Sequence, residues 1–169
     1  MNIIRRQLTL FVDEKQSTAI ESIRQKFNPL QYRLIRAHVT LCREDEIESI
    51  EMVLHNLSNQ LLPSIAICFN APTRFSDGKG VFLPAMDDSH FFKTLRNLLL
   101  QGITAAPRNH EPHITLMHPR NSTCTDDIFQ QIAKTILPTM ITFEKISLIE
   151  QIDQEPWKII QEFDLNEPA

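Results

Sequence analysis

Two tetrapeptides share one frame: His38-Val39-Thr40-Leu41 and, 75 positions later, His113-Ile114-Thr115-Leu116. The chain holds six histidines. Two of them in the same aliphatic-Thr-Leu setting is an improbable coincidence, with a pair of half-buried strands that each open on a polar residue as the plain alternative. In a strand, residues i and i+2 face the same way, roughly 7 Å apart. His38 and Thr40 therefore share a face, as do His113 and Thr115. A neutral imidazole can take a proton from an attacking water or hydroxyl, and a protonated one can give a proton to a leaving oxygen. Histidine titrates near neutral pH, so both forms are accessible. Threonine hydroxyls can hydrogen-bond the non-bridging phosphate oxygens that carry transition-state charge. The set suits phosphoryl transfer without a metal, and its need for two roles at once explains why the frame occurs twice.

The surrounding elements must bring the two motifs together. Residues 5–13 alternate like a strand, with Gln7, Thr9 and Phe11 set against Leu8, Leu10 and Val12. Residues 14–27 have helical apolar spacing, which Asn28-Pro29 stops. A strand over 34–42 carries the first motif, and an amphipathic helix over 45–61 follows it. Residues 64–70 read as a strand, and 74–85 as a hairpin turning at Asp77-Gly78. A helix over 87–102 leads to the second motif strand at 112–117. Next come a helix over 122–137 with Thr125 as its N-cap and an antiparallel pair, 140–152 with 156–165. Each motif strand is preceded by a helix and followed, after a short turn, by an acid-led helix and two strands. The fold class this predicts is α+β: a bilobal duplicated unit with largely antiparallel sheets around a central cleft and helices on the outside. Residues 1–169 form one domain, in two pseudo-symmetric lobes of roughly 1–85 and 86–169.

Composition bounds the partners. The chain is 42% hydrophobic and 22% charged, a globular balance. No apolar run is long enough for a transmembrane helix and the N-terminus has no signal-peptide layout, so the expected location is cytoplasmic. Cys42, Cys68 and Cys124 are odd in number and widely spaced, which indicates neither a disulfide framework nor a structural zinc site. A net charge of −4 argues against a non-specific binder of long nucleic acid, which needs a broad basic surface. It leaves room for a small nucleotide, or one RNA end in a locally basic cleft. No obligate protein partner is evident, and a monomer is expected.

One H-x-T-x motif in each half of a chain this long resembles the 2H phosphoesterase superfamily, nearest to its 2'-5' RNA ligase-like and cyclic phosphodiesterase group. The resemblance spans nearly the whole chain in element order. Its specific content is the two tetrapeptides and their flanks. It implies a bilobal fold with a central cleft, no metal or other cofactor, and a role in RNA processing. The implied activity is hydrolysis of a 2',3'-cyclic phosphate on an RNA end or small cyclic nucleotide. The alternatives are 2'-5' RNA ligation, or a nucleotide-binding module with little turnover. His38 and His113 become the acid/base pair, and Thr40 and Thr115 the phosphate-binding residues. One departure stands out. Many relatives carry a basic residue just after the second motif, whereas here Met117-His118-Pro119 precedes Arg120; the first motif has Arg43 directly after Cys42. Arg43 and Arg120 are therefore candidate phosphate contacts.

Further candidates come from position. Arg36 shares a face with His38 and Thr40 by alternation, and Cys42 lies on that face too, where a packed thiol is the better reading than a nucleophile. Phe75 and Phe82 flank the Asp77-Gly78 turn and are candidates for base stacking or for the core. Tyr32 and Arg33 occupy an irregular stretch before the first motif, where they can line the cleft. His110, Glu111, His113 and His118 invite a metal reading. On a strand, however, His113 and His118 face opposite ways, and Pro112 and Pro119 forbid a helix. No metal site is expected. His55 and His90 read as surface residues.

Overall fold

The computed structural model describes residues 2–87 and 89–166. The elements run β1 (Ile4–Phe11), α1 (Glu14–Phe27), α2 (Pro29–Leu34), β2 (His38–Cys42), α3 (Ile50–Ser58), β3 (Ile65–Cys68), β4 (Thr73–Arg74), β5 (Val81–Pro84), α4 (His90–Leu99), β6 (His113–Met117), α5 (Asp126–Ala133), β7 (Met140–Phe143), β8 (Lys145–Ile152) and β9 (Lys158–Asp164). The α+β class with largely antiparallel sheets stands. A seven-stranded sheet has the order β4-β5-β6-β2-β1-β8-β9, and β3 pairs with β7 in a two-stranded sheet.

The motif strands meet in a way their spacing alone does not specify. They are bonded neighbours at the middle of one sheet, antiparallel, with Val39 paired to Ile114. That register sets His38 against Thr115 and Thr40 against His113. Outer strands extend both rows: Phe11 pairs with His38 and Thr9 with Thr40, while Phe82 pairs with Thr115 and Pro84 with His113. The two strands share one burial pattern, in which His and Thr are half-buried and the residues between them are buried. Leu8, Leu10, Val39, Leu41, Leu83, Ile114 and Leu116 of the apolar face join one core with Ile20 and Ile23 of α1, Val53 and Leu57 of α3, Phe92 and Leu95 of α4 and Ile132 of α5. One face of the sheet is thus consumed by the helices, and the other keeps the polar residues of the motifs.

Local signals account for several boundaries. Asp13 caps α1 by accepting from the Lys15 and Gln16 amides at 2.7 and 3.0 Å, and Thr125 caps α5 through the Ile128 amide at 3.3 Å. Gly78 holds the hairpin turn at φ +72°. Other boundaries differ from the sequence reading. Pro29 ends α1 but also opens α2, because proline suits the first helical turn; Tyr32 and Arg33 are therefore helical, not irregular. The helix expected over 45–61 is interrupted: Glu44–Glu46 form one 3₁₀ turn before α3. The helix expected over 87–102 occupies His90–Leu99, and Asp88 of its acidic start lies outside the described residues. The stretch 140–152 is two strands in different sheets, β7 and β8, divided at Glu144.

Candidate active site

The polar rows of β2 and β6 lie in a cleft of about 290 Å³. His38, Thr40, His113 and Thr115 all line it, with Arg43, Arg120 and Phe75 from the sequence candidates. Its wall contains Arg24, Arg43 and Arg120 and no carboxylate, so the cleft is locally cationic in an acidic chain, the polarity an anionic substrate needs.

The two motif histidines are held identically. Nδ1 of His38 donates to the Arg36 carbonyl oxygen at 2.7 Å, and Nδ1 of His113 donates to the Glu111 carbonyl oxygen at 3.0 Å. A carbonyl can only accept, so each ring carries its proton on Nδ1 when neutral and leaves Nε2 for proton exchange. Aromatic rings brace both: Phe11 meets His38 edge-on at 6.1 Å, and Phe75 and Phe82 meet His113 at 6.1 and 5.6 Å. Burial pushes the His38 pKa down to about 4, with the cationic Arg24 adding to the effect, which favours the neutral ring.

Buried ion pairs hold the segments on which these carbonyls sit. Arg24, 1% exposed, donates to the Ile35 carbonyl at 2.7 Å and to Glu21 at 2.6 Å, while Glu21 accepts from the Ala37 amide. This i,i+3 pair grips the backbone on both sides of Arg36. In the other half Arg96, 2% exposed, bonds both Glu46 oxygens, the Leu41 carbonyl and the Arg108 carbonyl. It ties the end of β2 to the segment leading to Glu111.

Several candidates lie elsewhere. Arg36 keeps the alternation of β2, exposed between the buried Ile35 and Ala37, but does not line the cleft. Its guanidinium stacks over Phe11 at 4.5 Å, and it lines a neighbouring groove with Tyr32 and Arg33. Phe82 packs beside Phe75, ring centres 4.4 Å apart, and braces His113 without lining the cleft. Cys42 is fully buried, and burial pushes its thiol up to about 12, which suits a packed thiol.

Sequence reasoning passed over other lining residues. His118 was expected to face away from His113; β6 ends at Met117 and the chain turns, which brings His118 back to the cleft. His110 bonds the Thr40 carbonyl oxygen through Nε2 at 3.0 Å, and burial lowers its pKa to about 4. Among the described residues, no group of three His, Cys, Asp or Glu side chains is arranged to hold a metal ion. Gln7 was readable from the alternation of β1. Arg24 was readable as a charge on the apolar stripe of Ile20, Ile23 and Phe27. Trp157, beyond β8, carried no local signal. No helix among the described residues is long and apolar enough to cross a membrane.

The family model for the 2'-5' RNA ligase superfamily matches residues 11–155. No curated protein matches in sequence. Among solved structures, E. coli LigT complexed with 3'-AMP is similar with a TM-score of 0.67 at 16% identity, over 96% of this chain and 98% of that one. The complex of the same protein with phosphate gives 0.66 at 16%, over 96% and 98%. A phosphoesterase gives 0.69 at 14%, over 98% of this chain and 100% of that one. At these identities the likeness is one of fold.

Proposed function

Because the chain belongs to the 2'-5' RNA ligase superfamily, a superfamily of phosphoester-processing enzymes, we propose that it is a metal-independent phosphodiesterase. Its substrate is a 2',3'-cyclic phosphate, on an RNA end or a small cyclic nucleotide, and His38 and His113 are its acid/base pair. The observation that carries this reading is the matched tethering of both rings through Nδ1, with a threonine paired across the strand seam from each.

The roles follow from that arrangement. One neutral imidazole takes a proton from water through Nε2 as the water oxygen bonds to phosphorus. The bond from phosphorus to one ester oxygen breaks, and the other imidazole, protonated, gives that oxygen its proton. Thr40 and Thr115 donate to the non-bridging oxygens, and Arg43 and Arg120 offset the phosphate charge. Burial favours the neutral form of His38, and an anionic phosphate beside Nε2 favours the imidazolium, so the two oppose each other at this ring. Run backwards with a ribose hydroxyl as nucleophile, the same groups join two RNA ends. The acidic balance of the chain weighs against ligation as the main activity. The expected location is the cytoplasm, and the expected working unit is a monomer.

The test is turnover of a panel of 2',3'-cyclic mononucleotides and RNA oligomers ending in a cyclic phosphate, after prolonged chelation with EDTA. Undiminished hydrolysis is expected. Activity lost to EDTA and restored by a divalent ion overturns the mechanism and moves His110, Glu111 and His118 to its centre.

A further inference from the structure

A second hollow of about 440 Å³ adjoins the cleft, and Ile35 and Trp157 line both. Its walls carry three aromatic rings, Phe11, Tyr32 and Trp157, and three cations, Arg33, Arg36 and Lys158, with no carboxylate. Arg33, Arg36 and Lys158 are exposed, and among the described residues no ion pair involves any of them. Tyr32 is 36% exposed. Phe11 and Trp157 are half-buried, with Arg36 over Phe11 at 4.5 Å and Arg5 over Trp157 at 5.7 Å. Cations interleaved with partly open rings suit a single-stranded nucleic acid, whose backbone follows the charge while its bases stack. Placement matters as much as composition, since this groove starts at the wall of the cleft that holds the reacting phosphate.

We propose that the groove formed by α2 and the start of β9 binds the single-stranded RNA that leads, on its 5' side, to the cyclic phosphate. The natural substrate is then an RNA chain end and not a free cyclic nucleotide. The proposal rests on the phosphodiesterase reading and adds a substrate class to it. Trp157 is the shared wall, placed for the nucleotide next to the reacting one, and Arg33, Arg36 and Lys158 meet the phosphates beyond.

Trp157 is the sole tryptophan of the chain, so its fluorescence reports binding without any turnover. The protein is titrated with a single-stranded RNA oligomer ending in a 3'-phosphate and, separately, with a 3'-phosphate mononucleotide. The oligomer is expected to bind at least about tenfold tighter and to change Trp157 emission. Its log affinity should fall with log salt at a slope of about −2, from roughly 0.7 per neutralised phosphate on a single strand. Arg33→Glu and Lys158→Glu, both at exposed positions, should abolish the oligomer advantage and leave mononucleotide affinity within about twofold. Equal affinity for oligomer and mononucleotide, equal binding of duplex RNA, or charge reversals that weaken both ligands alike overturn the groove. Failure of the phosphodiesterase reading looks different: the oligomer binds with Trp157 quenched, yet no cyclic phosphate is hydrolysed.

Discussion

His38 stands across the strand seam from Thr115, not from the other histidine, because β2 and β6 run antiparallel with Val39 against Ile114. Thr40 stands across from His113 by the same register. Each motif histidine therefore has a threonine hydroxyl from the opposite half of the chain beside it. On the proposed mechanism, a single phosphate held between the rows meets one histidine and one threonine from each strand.

His38→Ala and His113→Ala are each expected to lower kcat by about 10² to 10⁴ without unfolding the protein. The two groups act in one step, so the double variant should be little worse than either single one. Near wild-type kcat in either single variant, on a substrate the parent turns over, rejects the two-histidine mechanism.

Thr40→Val and Thr115→Val keep side-chain shape and remove the hydroxyl. Each should cost on the order of 1–3 kcal/mol in transition-state stabilisation, read from kcat/KM. Unchanged kinetics in both would return them to ordinary strand residues.

Burial depresses the pKa of both His38 and His110, each to about 4. The folded state therefore binds fewer protons than the unfolded chain between about pH 6.5 and 4. Stability should fall as pH drops through that window, and thermal melts across it read the slope. His110→Gln keeps a donor for the Thr40 carbonyl and removes the titration, so its melting temperature should depend less steeply on pH. A slope identical to that of the parent refutes this.

Removing Glu46 strands the buried Arg96 guanidinium. Glu46→Ala should lose about 3–5 kcal/mol in a denaturant titration. A loss below about 1 kcal/mol would show that water, with the Leu41 and Arg108 carbonyls, satisfies the guanidinium.

Much of this was legible in the chain because strand alternation is a local rule. The facing of His38 with Thr40, the Thr125 cap of α5 and the turn at Gly78 all follow from neighbours within a few residues. His118 was misplaced because alternation was carried one residue beyond β6, which ends at Met117. That the two motif strands bond to each other, and that Trp157 closes the cleft, are decided by packing between distant segments. No local pattern encodes that.

The pairing of β2 with β6 also governs how the protein moves. Enzymes whose acid and base sit on separate bodies assemble the reactive geometry by hinge closure, on microsecond to millisecond timescales. Here the two imidazoles ride on strands bonded to each other in the middle of a seven-stranded sheet, so they cannot separate without breaking the sheet. Their spacing is fixed before substrate arrives. The amides of Val39 and Ile114 should consequently be among the last to exchange with deuterium, opening only with global unfolding.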